Sequence, residues 1–319
     1  PDGHLYVADR GNGRIVALPD VDGDGVADGQ VVLAEDLDQP HSLVHHQGSW
    51  FVGVPSGVIR LRDTDGDGAA DERETIIGDI PPGGNHRTRT VEFLTDGRMV
   101  LSVGSTCNVC EEEDPRRAAV VVYDGPQGGG EAIFAGGLRN AVGLAIHPET
   151  GELWATNNGR DLMGDDVPPE TVYIVEEGGD YGWPYCHSGD VVDPEFGGPD
   201  ACQDVVQPVA QMQAHSAPLG LAFYDGRAFP SEYWGDLFIA FHGSWNRTEP
   251  TGYSVVRLPL RGSEPQGPVE AFATGWLDLE ANNASGRPAG LAVGPDGALY
   301  VSDDKGGFIY RISYHGGGR

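Results

Sequence analysis

The chain has 319 residues, among them Gly 49 and Pro 23, and a formal charge of −29. That acidity argues against nucleic acid or an anionic membrane surface as a partner, because both repel it. No apolar run approaches the roughly 20 residues of a membrane span, and the charge suits an extracytoplasmic chain, a salt-tolerant one, or one that carries several calcium ions.

From the first residue onward one pattern recurs: a turn with Asp-Gly or a related pair, an alternating strand, a loop, and a second short strand. It runs through PDGHLYVADRGNGRIVAL (1–18) and QGSWFVGVPSGVIRLRD (47–63), and returns within residues 95–124, 149–179, 233–260 and 295–314. Six copies in 319 residues give a spacing of about 53. Period-2 alternation between Asp-Gly turns predicts β-hairpins, and repeats of this length with about four strands each predict an all-β chain, a six-bladed β-propeller. The helical crossovers that a two-domain α/β protein needs are missing. Residues 1–319 are therefore expected to form a single propeller domain. The first copy begins at its hairpin without an initiator Met, so the N-terminal edge is expected to be trimmed. An outer strand is then absent there or supplied by the C-terminus.

Two segments inserted between copies share the pattern DxDGDGxxD: DVDGDGVAD at 20–28 and DTDGDGAAD at 63–71. Carboxylates at positions 1, 3, 5 and 9, with Gly at 6, are the chemistry of a calcium loop. The expected ligands are Asp20, Asp22, Asp24 and Asp28 in the first. In the second they are Asp63, Asp65, Asp67 and Asp71, with Glu74 at position 12. Val31 occupies position 12 of the first loop, which is expected to bind more weakly. An acidic solvated turn is the alternative for both.

Next in the chain, IPPGGNHRTRT (80–90) places His86 just ahead of a strand. A neutral imidazole is the usual base for removing a hydroxyl proton near neutral pH. The four cysteines, Cys107, Cys110, Cys186 and Cys202, pair most simply as two short-range disulfides, 107–110 and 186–202, which implies an oxidising compartment. GLRN (137–140) then sets Arg139 beside Asn140, and the following strand ends in NNGRD (157–161). A guanidinium fork holds anions, and a glycine loop turns main-chain carbonyls toward a hard cation. Other loops at equivalent places carry Gln213 and His215, Trp245 and Arg247, and Arg287. Three arginines (Arg139, Arg247, Arg287) in so acidic a chain suggest an anionic ligand, with inter-blade ion pairing as the alternative.

The ordered set GLRN (137–140), GLAIHP (143–148), Asn158 with Gly159, and GGDYGWP (178–184) resembles the soluble quinoprotein glucose/sorbosone dehydrogenases, closest in look to the sorbosone and aldose enzymes. The resemblance runs through the whole chain. It implies a six-bladed propeller that holds pyrroloquinoline quinone (PQQ) with Ca²⁺ and oxidises a sugar hydroxyl or aldehyde by hydride transfer. By that similarity His86 is the general base and Arg139 the arginine on the quinone carbonyl being reduced. Asn140, Arg287, Arg247, Trp245, Gln213 and His215 belong to the cofactor surroundings. Gly159 and Arg160 offer main-chain oxygens to the catalytic Ca²⁺. Two departures stand out: Asn85 replaces the aspartate that precedes the histidine in the glucose enzymes, and the family lysine of the fifth blade has no counterpart in SWNR (244–247). The implied partners are a small-molecule sugar and a cytochrome or diffusible electron acceptor, in a periplasmic or secreted setting. The competing readings are a calcium-dependent lactonase-type hydrolase and a non-catalytic calcium-binding propeller.

Overall fold

The computed structural model describes residues 3–316. They form β-strands and two single-turn 3₁₀ segments, with no α-helix among them. The chain groups into two compact units, residues 1–107 with 112–134, and residues 108–111 with 135–319.

In the first unit β1 (Leu5–Asp9), β2 (Arg14–Leu18) and β3 (Val31–Ala34) make one sheet. A second sheet comprises β4 (Ser42–His46), β5 (Ser49–Val54), β6 (Gly57–Arg62) and β7 (Glu72–Ile77). β8 (Arg89–Phe93), β9 (Met99–Val103), β10 (Ala119–Tyr123) and β11 (Ala132–Gly136) belong to the third. The second unit repeats the plan. Its first sheet has β12 (Leu144–Ile146), β13 (Leu153–Asn157), β14 (Glu170–Ile174) and the strand Ala210–Met212. Strands Pro218–Phe223, Leu237–Phe241, Ser254–Leu258 and Glu270–Ala273 follow, then Pro288–Val293, Leu299–Asp303 and Phe308–Ile312. Six antiparallel sheets in chain order are the blades of a six-bladed β-propeller.

The middle strands explain why alternation fades in places. Every residue of MVLSV in β9 and AVVVY in β10 is buried, because both faces of a middle strand are covered by neighbouring sheets. Phe51, Val58, Ile77, Val91, Met99, Leu101 and Tyr123 fill the space between the second and third sheets. In the second unit Trp154, Val172, Leu221, Phe223, Leu237 and Val256 do the same. The Asp-Gly signals fall where expected: Gly97 (φ +89) and Gly297 (φ +76) each turn the first strand of a sheet into the second. The left-handed region costs a glycine almost nothing.

One expectation about the ends needs correcting. PDGHLYVAD aligns with PDGALYVSD at 295–303, which is the second strand of the last sheet. β1, β2 and β3 are thus the counterparts of second, third and fourth strands, and the described sheet has no first-strand counterpart. The outer position is filled by β3.

Register decides which loops meet. Arg89 faces Val103, Leu144 faces Ala155, Pro218 faces Phe241 and Pro288 faces Asp303. In each of these four sheets the loop entering the first strand therefore lies beside the loop leaving the second. Cys186 and Cys202 are joined, and both cysteines of the CxxC are disulfide-bonded.

β8 also carries a titrating group. Burial pushes the Glu92 carboxyl up to about 7 against the opposing bond from the Phe93 main-chain N–H. The folded chain thus holds this proton more tightly than the unfolded chain. The cost of ionising it is absent below about pH 4.5 and grows as the pH rises to about 7. Glu92→Gln is expected to raise the melting temperature at pH 8, by the equivalent of about 2 kcal/mol, and to leave it unchanged at pH 4. Equal shifts at both pH values would contradict this.

Candidate functional site

In the first unit the loop before β8 carries His86, half-buried. Its main-chain N–H and that of Asn85 bond to Ser105 O (3.3 Å) and Thr106 O (2.8 Å), which extends the β8–β9 pairing past the strand ends. Gly84 (φ +92) allows this approach, since a Cβ there would meet Thr106 Cα at 2.6 Å. The ring Nδ1 lies 2.8 Å from Ser105 Oγ and 3.1 Å from Ser105 O. A carbonyl only accepts, and the Ser105 hydroxyl already donates to Cys107 O at 2.7 Å. In the neutral ring Nδ1 must therefore carry the hydrogen, and Nε2 is the proton-accepting nitrogen.

In the second unit the corresponding place in the first sheet holds Arg139, nearly fully buried. Its Nε donates to Asn108 O (2.9 Å), Nη1 to Asn158 O (3.3 Å), and Nη2 to Asn108 Oδ1 (2.8 Å) and Asp161 Oδ2 (2.7 Å). Four of its five N–H groups are committed, so one is left for a ligand. Burial lowers the pKa of Arg139, opposed by the charge of Asp161 beside it. Asp161, itself partly exposed, is thus the counter-charge of the buried guanidinium. Its Oδ1 accepts from Asn246 (2.9 Å), and Asn246 reaches His215 Nδ1 (3.4 Å), whose Nε2 donates to Gly164 O (2.7 Å). His215 is held inside this network and Gln213 accepts from Thr251 (2.6 Å). His215 is therefore already engaged through both ring nitrogens, while Gln213 stays exposed with its amide NH₂ uncommitted among the described residues.

The NNGRD loop divides in two. Gly159 N–H donates to Glu170 Oε2 at 2.7 Å, and Ala217 N–H reaches the other oxygen at 3.3 Å. Glu170 is buried, which pushes its carboxyl up to about 7 against these two donors. The Arg160 side chain turns away to Asp193 and Glu195, beside His187, on the segment closed by the 186–202 disulfide. The carbonyl oxygens of Gly159 and Arg160 receive no hydrogen bond from the described residues. No described residue bonds the Asn140 side-chain amide either.

The remaining arginines differ in what they can offer. Arg247 donates to Glu249 O, Asp165 O and Ala214 O and pairs with Asp166, so one N–H is left. Among the described residues Arg287 donates only to His242 O (3.0 Å) and Gly243 O (2.6 Å) and keeps three N–H groups. Trp245, 70% exposed, presents an indole face on the same loop as Arg247.

A family model described as "Domain of unknown function (DUF7133)" matches residues 1–309. The chain belongs to the DUF7133 family. It is 33% identical over 222 residues to an uncharacterized protein of Borreliella burgdorferi, covering 69% of this chain and 58% of that one. It is 29% identical over 380 residues to the pyrroloquinoline quinone-dependent pyranose dehydrogenase of Coprinopsis cinerea, covering 97% and 51%. The chain thus spans little more than half the length of these two relatives. The solved holo form of the pyranose dehydrogenase PQQ domain from the same organism superposes with a TM-score of 0.83 at 24% identity, covering 98% of this chain and 90% of that one. That likeness carries the fold, and the resemblance to soluble quinoprotein sugar dehydrogenases extends to relatives of known activity.

In this DUF7133 chain the two DxDGDGxxD loops fold alike. Asp20 accepts from the N–H groups of Gly23 and Gly25, and Asp63 from those of Gly66 and Gly68. Asp20, Asp22 and Asp28 come together, as do Asp63, Asp65 and Asp71. Asp24 and Asp67 instead cap the N–H groups of Val26 and Ala69 (both 2.8 Å). Glu74 is outside the second cluster: it lies in β7, opposite Arg60, and forms an ion pair with it across the strands.

Sequence reading missed Ser105, Asn108, Asp161 and Glu170. A signal existed for Asp161, which closes NNGRD. None existed for Asn108, whose contacts lie 31 and 53 positions away.

Proposed function

We propose that this DUF7133 chain is the quinone-binding domain of a sugar dehydrogenase, with PQQ and Ca²⁺ as cofactors and an aldose, pyranose or sorbosone-like sugar as substrate. The observation that carries the reading is the His86 ring, whose Nδ1–H is fixed on Ser105 so that Nε2 is the atom that takes a proton. The pyranose dehydrogenase likeness over 97% of the chain supports it.

The residues present fit the cofactors. The carbonyl oxygens of Gly159 and Arg160 are without donors, as suits a hard cation that takes oxygen ligands. Arg287, with three uncommitted N–H groups, and the Asn140 amide suit a carboxylate-bearing planar ligand. Trp245 offers an exposed flat face. Arg139 contributes a single N–H, with its charge balanced by Asp161. The chemistry that PQQ supplies when bound is a two-electron acceptor for the hydride leaving the sugar carbon. His86 Nε2 removes the hydroxyl proton as that carbon becomes a carbonyl. Glu170 fixes the Gly159 N–H and with it the direction of the carbonyls that follow. The clustered aspartates 20, 22, 28 and 63, 65, 71 would hold structural calcium.

A cytochrome or diffusible carrier takes the electrons onward in this reading, in a periplasmic or secreted setting. Two disulfides suit such a setting, and no helix is long and apolar enough to cross a membrane. The test is to titrate the chain with PQQ in the presence and absence of CaCl₂ by calorimetry, then assay dye reduction across aldoses, pyranoses and aldehydes. Calcium-dependent quinone binding followed by sugar-dependent bleaching of the dye is the expected result. No quinone uptake and no dye reduction with any sugar would remove the proposal.

A further inference from the structure

Two arginines in the first unit have no place in the reading so far. Arg89, the first residue of β8, is fully buried, and Arg117, ahead of β10, is 4% exposed. Neither is ion-paired to a carboxylate among the described residues. Burying two like charges is costly unless good acceptors surround them. All the acceptors are main-chain carbonyls of one small region. Arg89 donates to His86 O (3.1 Å), Thr88 O (2.8 Å) and Pro81 O (3.1 Å). Arg117 donates to Gly83 O (2.7 Å), Gly104 O (3.2 Å) and, sharing the acceptor, Pro81 O. The cost is visible in Arg89, whose pKa burial and the neighbouring Arg117 charge bring down to about 9.

The acceptors have a pattern. Pro81, Gly83, His86 and Thr88 span the loop that presents the His86 ring, and Gly104 immediately precedes Ser105, the partner of Nδ1. The two guanidiniums thus anchor both sides of the bond that sets the tautomer of His86. A guanidinium fork suits this task, because it offers five fixed N–H directions, whereas a lysine ammonium is a point charge.

We propose, resting on the reading of His86 as the proton acceptor, that Arg89 and Arg117 are positioning residues that grip the 81–88 loop and the Gly104 turn and so hold His86 with Nε2 as its basic atom. They touch neither sugar nor cofactor. Their action is on the orientation and tautomer of the ring.

The experiment uses the intact chain labelled with [¹⁵N]histidine. The His86 ring nitrogens are assigned by their loss in His86→Gln, and wild type is compared with Arg89→Gln, Arg117→Gln and the charge-keeping Arg89→Lys. Expected in wild type is a single neutral form with Nδ1 protonated. In the variants the ¹⁵N shifts move toward a mixture of the two tautomers. Turnover per bound quinone then falls by about 10²-fold, as expected for a displaced catalytic group, with quinone affinity within twofold. Should a glutamine variant fail to fold, Arg89→Lys carries the same readout. His86 remaining wholly in the Nδ1–H form in folded variants overturns the proposal. So does an activity loss explained entirely by fewer molecules binding quinone. The tautomer measurement needs no quinone, so wild type that shows the fixed tautomer but no dehydrogenase activity removes the catalytic reading and leaves the positioning role standing.

Discussion

His86→Ala is expected to lower turnover per bound quinone by about 10²- to 10⁴-fold, the usual contribution of a placed general base, while quinone uptake stays intact. The argument rests on the division of labour in the ring. Nδ1 is held by Ser105, and the hydroxyl of Ser105 is itself committed to Cys107 O. The imidazole therefore cannot turn over and offer Nδ1 to a substrate without breaking two bonds. Removing the side chain deletes the proton acceptor, while the main-chain N–H of residue 86 still has Ser105 O as its partner. Calorimetry with PQQ and Ca²⁺ reports uptake, and steady-state dye reduction normalised to bound quinone reports turnover. Turnover within threefold of wild type would show that another group takes the proton.

Arg139→Met is expected to destabilise the fold by about 3 kcal/mol, the scale seen when one partner of a buried ion pair is removed. The pair itself is not the whole cause. Methionine leaves Asp161 without its cation and withdraws donors from Asn108 O, Asn108 Oδ1 and Asn158 O. A buried acceptor deprived of its donor costs more than the bond was worth. Adding Asp161→Asn to Arg139→Met is expected to recover part of the loss, because the uncompensated charge is gone. Urea unfolding of the four chains of this cycle measures both effects. An Arg139→Met midpoint equal to wild type, or no recovery in the double variant, would contradict the role given to Asp161.

How far the sequence could be read depended on the range of the interaction. Asp-Gly turns and period-2 strands are local, and they gave six sheets with the turns at Gly97 and Gly297. Which strand positions β1 to β3 occupy was not legible, because the hairpin signal does not say which pair of strands it joins. Comparison of residues 1–9 with 295–303 carries that information. Arg139 and His86 were legible as polar residues at strand entrances. Their partners were not: Asp161 and Asn108 reach Arg139 across 22 and 31 positions. For the same reason an arginine free to grip an anion looked identical to one already neutralised. Glu74 is a different case. Position 12 of the loop pattern falls at the third residue of β7, where Glu74 pairs with Arg60 across the strands. A motif counted along the chain carries no account of a strand that claims one of its members.

The placement of the Asp-Gly turns has a practical side. β8 is five residues long, about 17 Å at the usual rise per residue, and the Asp96–Gly97 turn closes the end of that sheet farthest from His86. A tether to an electrode surface, or a fused redox module, inserted there would enter through a solvent-exposed corner and leave the proton-accepting loop untouched. The Asp296–Gly297 turn of the second unit does not share this freedom, because Gly297 is buried and its carbonyl accepts from Tyr224 (2.6 Å).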